Sequence, residues 1–171
     1  LTYAREAEST IRKQQEQLPE PTARQMLAEL HVLIASGHYV QRDIGAAASG
    51  LQQAMPFLPY LDDLYSGVLY FLDMNVQRRL GRHHESLQAA AMAQAAFARA
   101  DLGALSVAVR REVARWCMVE GNSVEATRLF QQLFSDWRHE QHRVARELFY
   151  AYCYGAENSY WQNQLQQAQA F

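Results

Sequence analysis

Apolar residues recur along this chain at the spacing of an amphipathic α-helix. The clearest block repeats an apolar residue every four positions: Leu64, Val68, Leu72, Val76 and Leu80. Residues three or four apart lie on one face of a helix, so this block predicts a helix with one buried face. No part of the sequence shows the alternation of apolar and polar residues that is typical of strands. The pattern therefore predicts an all-α chain.

Four glycines divide the apolar blocks into near-repeats. They are Gly37, Gly81, Gly121 and Gly155, spaced 44, 40 and 34 residues apart. A period of about 34 to 47 residues is typical of stacked helix hairpins, and glycine suits the left-handed position that follows a helix. We therefore expect each glycine to end the first helix of a pair. The predicted organisation is eight helices in antiparallel pairs, forming a single helical-repeat domain over residues 1–171.

Composition narrows the class of protein. The 171 residues are 49% hydrophobic and 20% charged, with a net charge of −2. This balance fits a globular protein and argues against direct nucleic-acid contact through an overall positive field. The sequence has neither a membrane-spanning apolar stretch nor a signal peptide, so we expect a cytoplasmic protein without membrane contact. The chain starts at Leu1 without an initiator methionine, and we expect it to be a segment of a longer protein.

Few combinations of residues could support catalysis. His139 and His142 are three residues apart at a predicted turn, which is not the HExxH pattern of zinc enzymes, and we interpret them as solvated. Cys117 and Cys153 stand alone inside apolar blocks, where we expect buried free thiols. The sequence has no GxSxG nucleophile motif and no GxxxxGK[ST] phosphate loop. We therefore expect no enzyme, no cofactor and no metal site.

The segment GNSVEA, Gly121–Ala126, resembles a tetratricopeptide repeat. In that family a glycine closes the first helix, and an alanine five residues later packs it onto the second. LGRHHES is similar, with Gly81 in place and Ser86 at the alanine position, whereas the positions counted from the other two glycines hold Arg42 and Tyr160. The resemblance implies antiparallel hairpins stacked in a right-handed, tetratricopeptide-like superhelix.

Longer phrases resemble the sensor region of MalT-like, LuxR-type bacterial transcription regulators. They are LPEPTARQMLAELHVLIASGHY, AAASGLQQAMPFLP and the units around LGRHHESL and GNSVEATRLFQQLF, which together cover most of residues 18–137. The resemblance implies a nucleotide-binding module before the helical region and a helix-turn-helix domain after it. It also implies that the helical region receives a small-molecule inducer or a partner protein, while a different domain contacts DNA.

The tetratricopeptide register points to one candidate binding surface. Among the residues of the second and third units that it directs into a concave groove, six are the candidate binding residues: Phe71, Asn75, Arg78, Arg79, Arg111 and Arg115. The planar guanidinium of arginine binds a carboxylate or a phosphate through two parallel hydrogen bonds. The groove would then receive an anionic ligand or an acidic peptide. The alternative is that these arginines pair with nearby acids or face solvent.

Aromatic residues concentrate near the C-terminal end: Tyr150, Tyr152, Tyr154, Tyr160 and Trp161. They could cover an interface with a following repeat or with another subunit, which would make the protein a homo-oligomer. The sequence as a whole favours an effector- or partner-sensing domain of a LuxR-type, MalT-like regulator. The alternative function is a stand-alone tetratricopeptide-type scaffold or chaperone that binds an extended peptide.

Overall fold

The structure, a computed structural model, describes residues 2–14, 19–136 and 141–161. These residues form helices and turns without a strand, which confirms the all-α prediction. The elements are α1 (Thr2–Gln14), α2 (Glu20–Val40), α3 (Ile44–Ala54), a 3₁₀ helix (Met55–Tyr60), α4 (Asp63–Arg79), α5 (His83–Arg99), α6 (Gly103–Val119), α7 (Ser123–Asp136) and α8 (Gln141–Trp161). The chain divides into two compact units, residues 1–100 (unit one) and 101–171 (unit two). Stacking of all the hairpins into one superhelical domain stays a prediction.

Unit one contains two antiparallel hairpins, α2–α3 and α4–α5. In the second hairpin, Arg99 near the end of α5 pairs with Asp63 at the start of α4 at 2.7 Å. Nearer the turn, Ser86 Oγ donates to the carbonyl of Met74 at 2.9 Å. Helix α4 packs against both α2 and α3. The buried core that holds these three helices together consists of Val32, Ala35, Ala47, Leu51, Ala54, Leu69, Leu72 and Val76.

Unit two contains one hairpin, α6–α7, with α8 packed against both of its helices. Aromatic stacking joins α7 to α8, because the rings of Phe134 and Tyr152 lie parallel with centroids 4.1 Å apart. Apolar residues of α7 recur every three or four positions and face this core. The buried core of unit two consists of Val107, Ala114, Ala126, Phe130, Leu133 and Ala151.

The three hairpin turns share one backbone geometry. A single residue after each first helix takes a left-handed conformation: Arg42 at φ 63°, Gly81 at φ 75° and Gly121 at φ 79°. The next amide then donates to the carbonyl five residues back, which satisfies helix-end carbonyls that would otherwise lack a partner. These bonds run from Asp43 to His38 at 3.0 Å, from Arg82 to Gln77 at 2.9 Å and from Asn122 to Cys117 at 2.8 Å.

Two predicted helix ends are wrong. Gly37 lies inside α2, which continues to Val40, and Gly155 lies inside α8, which continues to Trp161. Glycine permits a left-handed turn but does not require one. Beyond Gly37, Tyr39 packs against the core of unit one, so packing favours a longer helix. Within the described residues the predicted fourth pair is therefore one helix. The sequence also predicts a last helix from Trp161, Leu165 and Ala168; Trp161 ends α8, and the other two lie outside the described residues.

Placing the first turn at Arg42 makes the repeat more regular than the glycines suggested. The left-handed residues at 42, 81 and 121 are 39 and 40 residues apart. Five residues after each of them comes a small, fully buried side chain: Ala47, Ser86 and Ala126. Counting from Gly37 had placed Arg42 at the alanine position, five residues too early. All three hairpins thus combine a left-handed turn with a small residue at the helix contact.

The first turn allows a direct test of backbone strain. We expect Arg42→Gly to raise the free energy of unfolding by about 1 kcal/mol, because a side chain in the left-handed region carries a steric cost that glycine avoids. Urea unfolding followed by circular dichroism measures this change.

The matched control for this prediction is Gly81→Ala, at the equivalent turn. A Cβ at position 81 meets no atom within 4 Å, so only the backbone conformation opposes alanine there. We expect this variant to lose about 1 kcal/mol. A loss of stability in Arg42→Gly would instead show that the Arg42 side chain contributes more than the strain costs.

Candidate functional site

Four of the six predicted groove residues lie on α4 in unit one. Asn75 and Phe71 are half-buried, and the side-chain amide of Asn75 donates to the carbonyl of Phe71 at 2.7 Å. Arg78 hydrogen-bonds His83 Nδ1 at the start of α5, and Arg79 is exposed at the last turn of α4. The amide of Asn75 is thus occupied by its own helix, and Arg79 is the residue of this set that presents an open guanidinium.

The other two predicted residues, Arg111 and Arg115, lie on α6 in unit two and are engaged by acids of that unit. Arg111 pairs with Glu147 of α8 and, at 3.1 Å, with Glu112. Arg115 pairs with Glu112 at 2.8 Å. This arrangement matches the alternative in which the arginines pair with nearby acids. A groove that combines all six residues would require both units, and it stays a prediction.

The Arg111 cluster is largely shielded from solvent. The side chains of Arg111, Glu112 and Glu147 are 15%, 14% and 11% exposed. The guanidinium carbon of Arg111 also lies 5.4 Å from the ring centroid of Tyr150, within range of a cation–π interaction. These contacts join α6 to α8, so the role that the cluster's geometry supports is to hold these two helices together. Sequence reasoning missed Glu147, because an acid within a helix carries no local signal of its partner.

A surface pocket of about 390 Å³ lies in unit one, beside the first hairpin turn and the end of α4. Its lining residues are Tyr39, Val40, Arg42, Ile44 and Arg79. Of these, sequence reasoning had selected only Arg79. Arg42 was missed because the first turn was placed at Gly37, and no sequence pattern marks a left-handed arginine.

The aromatic cluster near the C-terminal end divides into two parts. Tyr152 and Tyr154 pack against the core of unit two. Tyr160 and Trp161 are mostly exposed, and Phe149 joins them on the surface of α8. Part of the expected aromatic surface is therefore present on α8.

Other expectations concern metal, membrane and thiol chemistry. Among the described residues, no three His, Cys, Asp or Glu side chains are grouped so that they could hold a metal ion; His139 lies outside these residues. No helix in the described ranges has the length and apolar character needed to cross a membrane. Neither cysteine forms a disulfide, and the expectation that both are buried is wrong: Cys117 is half-buried and Cys153 is exposed on α8.

His31 is a buried titratable residue that sequence reasoning did not select. It lies in α2 and stacks on Phe57 with ring centroids 5.6 Å apart. Burial lowers the pKa of this imidazole, Glu8 opposes the shift by raising it, and Arg12 adds to it. The folded chain therefore prefers the neutral ring.

This preference predicts a pH dependence of stability. The pKa of His31 is lower in the folded chain than the ordinary value of 6.5 in the unfolded chain. Its contribution to stability is therefore complete above about pH 6.5 and falls as the pH drops toward the folded-state pKa. Thermal unfolding between pH 7.5 and 5 measures the slope.

The control for this slope is His31→Gln, which has no titratable ring and is expected to flatten the curve in this range. Burial raises the pKa of Asp73 above its ordinary value of 3.8, so this carboxyl lowers stability as the pH rises, which is opposite in sign to the effect of His31 and persists in His31→Gln. An unchanged slope in His31→Gln would assign the effect to another group.

Together, the described residues form helical hairpins with a repeated turn, an arginine-lined pocket at the first turn and an arginine–carboxylate cluster between α6 and α8. Comparison of the chain with protein-family models, with curated proteins and with solved structures gave no match.

Proposed function

We propose that this chain is a tetratricopeptide-like helical-repeat domain that senses an effector or a partner protein within a bacterial LuxR-type, MalT-like transcription regulator. The observation that carries the proposal is the repeated hairpin turn. Left-handed residues recur at 42, 81 and 121, and each is followed five positions later by a small buried residue. Arrays of such hairpins typically present extended binding surfaces.

Sensing would work through a difference in binding free energy. An effector that binds one packing of the hairpins more tightly than another shifts the population toward that packing. The shift would change the availability of the flanking domains, and one of those domains would contact DNA in the cytoplasm. The chain itself, at a net charge of −2, has no overall positive field that would attract nucleic acid.

The exposed aromatic residues of α8 favour a second candidate function. Phe149, Tyr160 and Trp161 are each more than half exposed, and large exposed aromatic side chains commonly contribute to protein interfaces. A stand-alone scaffold or chaperone that binds an extended peptide would use such a surface. The same residues would serve an interface between copies of the chain.

The complete open reading frame around this segment separates the two functions. The regulator predicts a phosphate loop upstream and a helix-turn-helix domain downstream. In that case, reporter transcription with the full protein should depend on an added effector or partner. A short frame that encodes neither domain would overturn the regulator and leave the scaffold, for which peptide-binding measurements are the next step.

A further inference from the structure

Two open positive charges of unit one lie together at one pocket. Arg42 and Arg79 line the pocket at the first hairpin turn, and neither side chain forms an ion pair or a hydrogen bond within the described residues. Three other arginines of this unit are paired with acids along or between helices: Arg12 with Glu8, Arg24 with Glu20 and Arg99 with Asp63. The two guanidinium groups of the pocket can therefore meet an external anion.

Arg42 occupies a backbone position that disfavours it. Its φ of 63° is left-handed, and the two equivalent turns hold glycine there. A strained residue that lines a pocket is a reasonable candidate for a functional role. At this left-handed turn Arg42 lines the pocket, together with Arg79 at the end of α4.

The remaining lining residues are mainly apolar. Tyr39 and Ile44 pack against the core of unit one on their inner sides, and they line the pocket on the outer side. Val40 is 79% exposed beside them. A volume of about 390 Å³ falls within the range of small-molecule sites, about 300 to 1,000 Å³. An extended peptide would need a longer surface than these five residues provide.

We propose that this pocket binds a small organic anion. Its carboxylate or phosphate group would pair with Arg42 and Arg79, and its apolar part would contact Val40 and Ile44. Paired guanidinium groups suit both kinds of anion, because each offers a fork of donors. The nearby start of α3 is already capped, since Asp43 accepts from the amide of Ala46 at 3.0 Å, so the arginines supply the charge.

This proposal gives a chemical class to the effector of the proposed function, and it rests on that function only for the consequence of binding. Binding itself is measured on the 171-residue chain. If binding fails while the reading frame encodes both flanking domains, the pocket is wrong and the regulator stands. If the chain binds the anion but the reading frame encodes neither flanking domain, the pocket is supported and the regulator is not.

Isothermal titration with phenyl phosphate and with hexanoate tests the site and separates the two sources of charge. We expect at least one of them to bind with a Kd of about 1 mM or tighter. Inorganic phosphate and acetate, which lack the apolar part, should bind about tenfold more weakly. If phenyl phosphate binds no tighter than inorganic phosphate, and hexanoate no tighter than acetate, the proposed contact of the apolar part with the pocket is contradicted.

Three variants locate the binding. Arg42→Gly and Arg79→Gln are each expected to weaken it about tenfold. Arg82→Gln, an exposed arginine on the neighbouring turn that is not part of the lining, should change it less than about twofold. Because Arg42→Gly relieves backbone strain, its loss of binding cannot be attributed to unfolding, and circular dichroism confirms the fold. The proposal is overturned if neither probe binds the unmodified chain, or if both pocket variants bind like it.

Discussion

Replacing Gly67 with alanine is expected to lower the free energy of unfolding by about 2 kcal/mol, although alanine is the better helix former by about 1 kcal/mol. Gly67 is buried in α4, and a Cβ there would lie 2.5 Å from Cδ1 of Phe97 and closer still to Cε1. Phe97 of α5 is only 2% exposed. A ring in a close-packed core cannot move without disturbing its neighbours, so overpacking outweighs the helix gain.

Two further variants make this prediction specific to the ring. Gly45→Ala is the matched control, because a Cβ there meets no atom closer than 3.8 Å; it should gain about 0.5 kcal/mol. Phe97→Leu removes the ring, so Gly67→Ala should cost clearly less in that background, which a double-mutant cycle measures. An unchanged or higher stability of Gly67→Ala alone would show that the Phe97 ring moves aside at little cost.

The contact between Gly67 and Phe97 also shows why some parts of the fold could be predicted and others could not. Helical spacing is local, so the periodic apolar residues predicted the helices that the structure contains. At Gly81 and Gly121, a break in the spacing coincides with a glycine, and both turns were placed correctly. Nothing in the sequence near Gly67 indicates that an aromatic ring from position 97 lies over it.

The helix ends predicted at Gly37 and Gly155 were wrong for the same reason: they depend on contacts between residues distant in the sequence. Whether a helix continues through Gly37 or Gly155 depends on what the following residues contact. Tyr39 reaches the core of unit one, and Asn158 is fully buried in unit two, where its amide donates to Thr127 Oγ1 at 2.8 Å. Such contacts arise from the packed structure. The true first turn uses Arg42, a residue that propensity alone disfavours at a positive φ.

Sequence reasoning selected four arginines as candidate binding residues, and of these only Arg79 lines the pocket. The turn at Gly81 was placed correctly, and the register counted from this glycine selected Arg79. In the first hairpin the register was counted from Gly37, five residues before the true turn, so Arg42 was not selected. Arg111 was selected as a ligand residue, yet it pairs with Glu147, 36 positions along the chain, whose approach depends on how α8 packs against α6.

That ion pair leads to the second large effect. We expect Glu147→Gln to lower the free energy of unfolding by about 3 kcal/mol. The amide cannot neutralise Arg111, which is only 15% exposed, and the remaining acid, Glu112, is already shared with Arg115. Removing Glu147 leaves Arg111 and Arg115 to share one carboxylate, and an incompletely compensated, shielded charge costs more than the intact pair contributes. Urea unfolding of unit two, followed by tryptophan fluorescence, measures the loss.

A matched control and a double variant separate this explanation from a general effect of changing α8. Arg110 and Asp136 form another ion pair between helices of unit two, at 2.7 Å, with Asp136 56% exposed; Asp136→Asn should change stability by less than about 0.5 kcal/mol. Arg111→Met combined with Glu147→Leu removes both charges and should recover most of the stability lost in Glu147→Gln, because no buried charge remains unpaired. If the double variant is as unstable as Glu147→Gln, the loss comes from packing at α8, and Arg111 returns as a candidate for ligand binding.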